Sequence, residues 1–429
     1  MKFLAQHLDR LRACFARMPD PRRGSNRRYA MADIGMAALS VFFMQSPSFL
    51  AHQRALAETR TRSNAHTLFG LDRIPCDNHI RQLLDGVPAE HFDDAFHDLA
   101  ADLDAHGALE PMRRLDGCVL VALDGTEFFR SRKLHCDNCS TRKRSDGDVE
   151  HFHQMLGATV VAPGQSRALP LPPEFVQPQD GAAKQDCERQ AAKRWLARHG
   201  PRCAALRPVY LGDDLYACQP VCQAMLDAGG DFLLTCKQPS HKTLYEYLDG
   251  VRTPTRRRTA GRGAKRRIHR YRWMNDLPIR DGDDAMRVNW LEIVSAKPDG
   301  KVTYRGAFVT SLDVDRNNVA ELADCARARW KIENETFNVL KQHGYHLEHN
   351  FGHGKDTLAA VLVVLNLLAF ALHTACELAE TLWRQARQRL GTRFRLFEHL
   401  RTITEYQVFP SWTALLTLLA TGGPPAQPP

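Results

Sequence analysis

Residues 317–341 read NNVAELADCARARWKIENETFNVLK, and the reading of this stretch decides how the rest of the chain is understood. Asn317 or Asn318 can cap a helix here, and no Gly or Pro interrupts the run to Lys341. At about 100° per residue, Val319, Leu322, Ala326, Trp330, Glu333, Phe337 and Leu340 fall on one face. That face is apolar except for Glu333. Arg329 lies one turn earlier, roughly 40° around the helix, and Glu335 lies roughly 200° away, toward water. A carboxylate on a core-facing stripe is costly to bury unless it is paired or binds a metal. Glu333 is therefore either half of an ion pair with Arg329 at the edge of the core, or one member of a metal site.

Upstream, the pattern supplies two partners for the second reading. CVLVALDGTEFF predicts a strand ending at Asp124, VEHFHQMLGATVVAPG a second strand and ALPLPPEFV a short third. DGAAKQDCERQAAKRWLARHG predicts an amphipathic helix closed by Gly200 and Pro201. PVYLGDD is a strand ending at Asp213, YACQPVCQAMLDAGG a helix and DFLLTCK a further strand. Three strands, helix, strand, helix, strand is an α/β order, with antiparallel pairing first and parallel crossovers later. Groups beyond strand ends in such a sheet converge on a shared crevice. Asp124, Asp213 and Glu333 together offer the hard oxygens that Mg²⁺ prefers. Two such ions can activate an attacking water or 3′-hydroxyl and stabilise the leaving oxygen of a phosphodiester.

These residues also carry a resemblance. LDGTEF at the first aspartate, LGDDLY at the second and RWKIENETFNVLK at the glutamate, in that order, resemble insertion-element transposases of the DDE type. The nearest group has a ribonuclease H-like catalytic domain, a β-rich insertion and a Tyr–Arg–Glu–Lys signature on the final helix. The likeness covers residues 116–380. It implies Asp124, Asp213 and Glu333 as catalytic ligands of two Mg²⁺ ions, with Mn²⁺ able to substitute, and Arg329 four residues before the glutamate. Asp213 is preferred to Asp214 because the family spacing places an aromatic three residues on, here Tyr216. Two departures stand out. Ala326 occupies the position of the signature Tyr, and the Lys falls at Lys341, one residue late and about 80° off the Glu333 line of a regular helix. Glu348 is the alternative third carboxylate.

The implied organisation is an all-helical N-terminal region (1–112) that helps recognise DNA ends, and a ribonuclease H-like mixed sheet flanked by helices (113–239 and 316–420). A basic β-rich insertion (240–315) and a disordered tail (421–429) complete it. In the insertion, Arg256, Arg257, Arg258, Lys265, Arg266 and Arg267 form a run that can track phosphates or simply face solvent. Trp273 and Trp290 are read as the core of its hairpins. Near the N-terminus, Arg22, Arg23, Arg27 and Arg28 are a second basic loop. HCDNC at 135–139 has the Cys-x₂-Cys spacing of zinc knuckles, and His135, Cys136, Cys139 and His153 are the candidate ligands. The alternative is two loop cysteines in a reducing cytoplasm. His343, His346, His349 and His353 look like a metal cluster, but with no Cys or Asp partner of clear geometry the preferred reading is a polar loop bordering the site.

Composition agrees with a DNA enzyme. The 429 residues carry a formal charge of +9, which suits a polyanionic partner. Twelve scattered cysteines in a chain this long are no disulfide scaffold, and the charged N-terminus has no signal-peptide pattern. A cytoplasmic, nucleoid-associated protein is expected. The apolar run at 357–372 is short and holds Asn366, so a buried helix is expected rather than a membrane span. There is no GxxxxGK[ST] and no GxGxxG after a strand, so nucleotide binding is not indicated. The function implied is Mg²⁺-dependent cleavage at inverted-repeat ends and 3′-hydroxyl transfer into target DNA, by a homodimer on DNA. The alternatives are a catalytically inactive, transposase-derived DNA-binding protein and a metal-dependent nuclease of the same fold.

Overall fold

The residues from Cys118 to Leu123 are all buried, because this run forms the middle of a sheet covered on both faces. The computed structural model describes residues 2–23, 27–57, 63–178 and 186–423. Its first helices are α1 (Lys2–Ala16), α2 (Met31–Phe43), α3 (Phe49–Ala57), α4 (Asn64–Phe69), α5 (Asp77–Leu84) and α6 (Asp93–Ala105). The sheet begins with β1 (Arg113–Arg114), β2 (Cys118–Ser131), β3 (Ser140–Lys143), β4 (Val149–Val161), β5 (Leu169–Pro170) and β6 (Glu174–Val176). Then come α7 (Glu188–Cys203), β7 (Pro208–Gly212), α8 (Gln219–Asp227), β8 (Asp231–Thr235) and α9 (Lys242–Leu248). The basic segment forms β9 (Thr255–Ala260), β10 (Arg267–Pro278), β11 (Arg287–Ala296) and β12 (Val302–Thr310). The chain closes with α10 (Val319–Arg327), α11 (Asn338–Gln342), α12 (Leu358–Ala379), α13 (Thr381–Leu390), α14 (Arg393–Tyr406) and α15 (Trp412–Thr421).

The protein is a mixed α/β fold. Among the described residues one sheet of twelve strands runs β3-β4-β2-β7-β8-β12-β11-β10-β9, with β1 on β2 and β5 and β6 on β4. Only β2–β7 and β7–β8 pair in parallel, as the two strand–helix–strand units require. The basic segment is no separate module. Its last strand β12 pairs antiparallel with β8, Phe308 opposite Thr235, so the sheet continues straight through it. Trp273 and Trp290 are buried in that half, as expected of hairpin core.

Several local expectations change. The first strand does not end at Asp124 but continues to Ser131, because β4 pairs with it on through Ser131–His151. The predicted third strand splits into β5 and β6 around Pro172 and Pro173, which cannot donate to a ladder. α7 runs past Gly200 and Pro201 to Cys203. Gly200 stays helical because the turn after α8 packs on it: a Cβ there would stand 2.4 Å from that of Ala228.

The two ends of the chain are also one body. α12 packs against α1, α2, α5, α6 and α13, and Phe43 of α2 contacts Phe69, His373, Trp383 and Trp412. The N-terminal helices therefore share a core with the C-terminal helices α12, α13 and α15. α12 is long and apolar enough to cross a membrane, yet 89% of its most apolar window is buried inside the fold. Of the tail, residues 424–429 lie outside the described residues, and Thr421 still belongs to α15.

Candidate active site

β2 and β7 pair up to Ala122 opposite Leu211, and Asp124 and Asp213 come two residues further on. Past the Ala122–Leu211 pair the two strands part: β2 continues along β4, with Asp124 across from Gly157, and Asp213 is close enough for its charge to act on Asp124. Asp213 comes directly after β7 and accepts a hydrogen bond from the Leu215 amide at 2.8 Å. Its neighbour Asp214 is occupied elsewhere: it accepts from the Lys237 amide at 2.6 Å and from the Ser240 hydroxyl.

The segment carrying Glu333 is helical throughout but not one regular α-helix. After α10 it tightens to a 3₁₀ turn at Ala328–Trp330, then widens to a π-helix at Ile332–Phe337 before α11. The Asn338 amide donates to the Glu333 carbonyl five residues back. Asn318 stands at the N-cap position without a side-chain cap; instead the Asp315 carboxylate accepts from the Asn317 and Asn318 amides. The π turn takes up one extra residue, which sets everything after it back by about 100°. Lys341, 80° out of line in a regular helix, is thereby returned close to the Glu333 face. Its ammonium pairs with Glu348 at 3.0 Å, so the alternative third carboxylate is a partner of Lys341.

The distorted helix also changes the predicted face. Val319, Leu322, Ala326, Phe337 and Leu340 are buried, but Trp330 is 45% exposed and Glu333 faces solvent. Glu335, expected in water, is half-buried beside Lys331 at 3.8 Å. Both initial readings of Glu333 share one geometry. Arg329 reaches Glu333 Oε1 at 2.8 Å and, through the same nitrogen, Asp124 Oδ2 at 3.6 Å. One guanidinium thus bridges the first and third carboxylates. Burial pushes the Asp124 carboxyl up to about 7. Arg329 opposes the shift, while Glu333, Glu188 and Asp213 add to it.

Glu188 was missed by the sequence reading. It is the first residue of α7, and its carboxylate accepts from the Tyr216 hydroxyl and from Gln154 Nε2 at 3.3 Å. Gly125 admits it: a Cβ on Gly125 would stand 2.1 Å from Glu188 Oε2. The available signals were a glycine after the first aspartate and an acidic first helical turn.

A second close approach holds the helix on the sheet. Gly157 is opposite Asp124 in the β2–β4 ladder, and a Cβ there would lie 2.8 Å from the Phe337 ring. Gly157→Ala is expected to lower stability by about 1–3 kcal/mol through overpacking. Denaturant unfolding checks this, and an unchanged midpoint would mean that Phe337 moves aside freely.

Beyond Asp124, an open groove of about 650 Å³ runs along Gly125–Ser131 to Lys341, Glu348 and Asn350. In the basic half, Arg257, Arg258, Lys265 and Arg266 are exposed and Arg267 is half-buried. Arg257 stands directly opposite Arg270 across β9–β10. Arg256 differs from its neighbours: its guanidinium binds the Arg316 and Asn317 carbonyls, tying β9 to the start of the Glu333 segment. In the N-terminal loop Arg22 and Arg27 both pair with Asp20.

Of the expected partners of the Cys-x₂-Cys segment, His153 joins it and His135 does not. His135 stacks on His151, with ring centroids 4.5 Å apart, and its Nδ1 lies 3.3 Å from the Lys133 carbonyl. Cys136, Cys139 and His153 instead converge with His353, from the histidine-rich loop.

A mixed α/β sheet places three carboxylates near one another, Asp124 on β2, Asp213 after β7 and Glu333 on the helical segment, with Arg329 joining the first and third. Residues 179–371 match the family model described as transposase DDE domain, which supports a DDE-type transposase. The match begins after Asp124 and includes Asp213 and Glu333. That family implies a nucleic-acid-cleaving enzyme, DNA as partner and divalent metal ions. No curated protein matches the chain.

Proposed function

We propose that the protein cuts DNA at the ends of its own element and joins the freed 3′-hydroxyl to target DNA, with Asp124, Asp213 and Glu333 as the catalytic carboxylates. The bridging of Asp124 and Glu333 by Arg329, with Asp213 just past the end of the neighbouring strand, carries this reading. The donor set fits Mg²⁺ or Mn²⁺: all three carboxylates offer hard oxygens, and the Asp124 carboxyl is pushed up by burial first and then by carboxylate neighbours whose charge a cation would offset. When bound, such ions would supply Lewis-acid stabilisation and an activated nucleophile for phosphodiester exchange. Arg329 holds the carboxylates together beforehand and is placed to meet a phosphate. Lys341 lines the groove leading from the site.

The spatial order β6–β4–β2–β7–β8, which is third, second, first, fourth, fifth in the chain, supports a ribonuclease H-like reading. Like charges opposite each other on a strand pair cost stability, and a polyanion relieves that. The exposed Arg257–Arg270 pair with Arg258, Lys265 and Arg266 therefore supports DNA contact by the extended half of the sheet. Two ends must be cut together, so the working unit on DNA is a homodimer.

The test uses purified protein and a plasmid carrying the gene's own flanking DNA, with Mg²⁺ or EDTA. Metal-dependent breaks at the element ends, and then joining to a second DNA, are expected. Breaks without joining would make it a nuclease, and end binding without breaks would make it a DNA-binding relative.

A further inference from the structure

The geometry points to a structural zinc ion held by Cys136, Cys139, His153 and His353, a ligand set that clamps the loop after the Glu333 helix onto the far end of the Asp124 strand. The four donor atoms all lie within 4.8 Å of one another. The two sulfurs are 3.9 Å apart. His153 Nε2 is 3.6 Å from Cys136 Sγ and 3.4 Å from Cys139 Sγ, and His353 Nε2 is 3.5 Å from Cys139 Sγ. The two imidazole nitrogens are 3.2 Å apart. A tetrahedron with ordinary zinc bond lengths has edges of about 3.8 Å between sulfurs, about 3.6 Å from sulfur to nitrogen and about 3.3 Å between nitrogens. Five of the six edges show that same pattern by atom type, and the sixth, from Cys136 Sγ to His353 Nε2, lies within 4.8 Å. The sulfurs are too far apart for a disulfide, which needs about 2.05 Å.

An independent feature agrees. His353 Nδ1 lies 3.0 Å from the Gly354 carbonyl, so the ring donates there and leaves Nε2 as a free lone pair aimed into the cluster. This is the backing that metal-bound imidazoles need. The Cys136 amide points at Cys139 Sγ, 3.5 Å away, the contact that a metal-bound sulfur would accept. Two thiolates and two imidazoles in a closed tetrahedral set select zinc over Mg²⁺.

The ligands come from three places. Cys136 and Cys139 lie just after β2, His153 lies on β4, and His353 lies between α11 and α12. Asn138 adds a hydrogen bond to the Asp356 carbonyl at 3.1 Å across the same junction. The ion would therefore fasten residues 343–357, and with them the Lys341–Glu348 wall of the groove, to the strand that carries Asp124.

Zinc content of the purified full chain tests this without any DNA reaction, so the outcome is separate from that of the transposase reading. We expect one zinc per chain. Exchange for Co²⁺ should give the intense visible bands of a tetrahedral thiolate site. Cys139→Ser and His353→Ala should weaken zinc binding by about 100-fold, the share of one ligand in four. His135→Ala should keep full zinc. Should His353→Ala fail to fold, His353→Cys is the second variant, expected to retain the metal with a shifted cobalt spectrum. Protein from zinc-replete medium without zinc and without cobalt bands would overturn the proposal, as would zinc lost in His135→Ala but kept in His353→Ala.

Discussion

Asp124→Asn and Glu333→Gln are each expected to reduce metal-dependent breakage at the element ends by on the order of 10³-fold or more, while DNA-end binding persists. Both changes keep the size of the side chain and remove the charge that holds a cation. A cation's stabilisation of developing phosphate charge is worth several kcal/mol, and each 1.4 kcal/mol is about tenfold in rate. Asp124 is largely buried, opposite Gly157 in the β2–β4 ladder. Glu333 is 48% exposed in its side chain, yet it shares Arg329 with Asp124 and belongs to the same unit. Residues that act as a unit are not additive, so the double variant should be little worse than either single one. Cleavage of labelled end fragments, with binding measured in parallel, checks this. Cutting that survives Glu333→Gln would remove Glu333 from the site and turn attention to Glu348.

The second large effect is on pH. The Asp124 carboxyl is pushed up to about 7 by burial, against an ordinary aspartate near 4. Protons and a divalent cation then compete for it. Apparent Mg²⁺ affinity is expected to fall about tenfold per pH unit below about pH 7 and to level off above it. Arg329 lowers this value, so Arg329→Ala should move the break point to higher pH. Mg²⁺ half-saturation of cleavage between pH 5.5 and 8 would show both, and a flat profile across that range would contradict them. The stability consequence has the opposite sign to a salt-bridged aspartate. Between about pH 4 and 7 the folded chain holds a proton that the unfolded chain has lost, so this group's contribution falls as pH rises and is fully lost above about pH 7. The ceiling is about 4 kcal/mol. Asp124→Asn should therefore raise the thermal midpoint of the metal-free protein at pH 8 but not at pH 4.

The sequence by itself determined the alternation of strands and helices around Asp124 and Asp213, because apolar runs and Gly- or Pro-marked ends are local signals. It also determined Glu333 with Arg329 one turn before it, since helical spacing alone puts them together. Tertiary structure decided the rest. The register of β2 on β7 that brings Asp124 near Asp213 is a property of strand pairing, and nothing within either strand encodes it. The π turn at Ile332–Phe337 leaves no mark in the apolar spacing, and the Phe337 ring at its end packs on Gly157, 180 positions away in the chain. Glu188 reaches the site because Gly125 leaves room, 63 positions away in the chain. His353 in place of His135 was illegible for the same reason: it joins Cys139 across 214 residues, and only folding brings such distant donors within bonding reach.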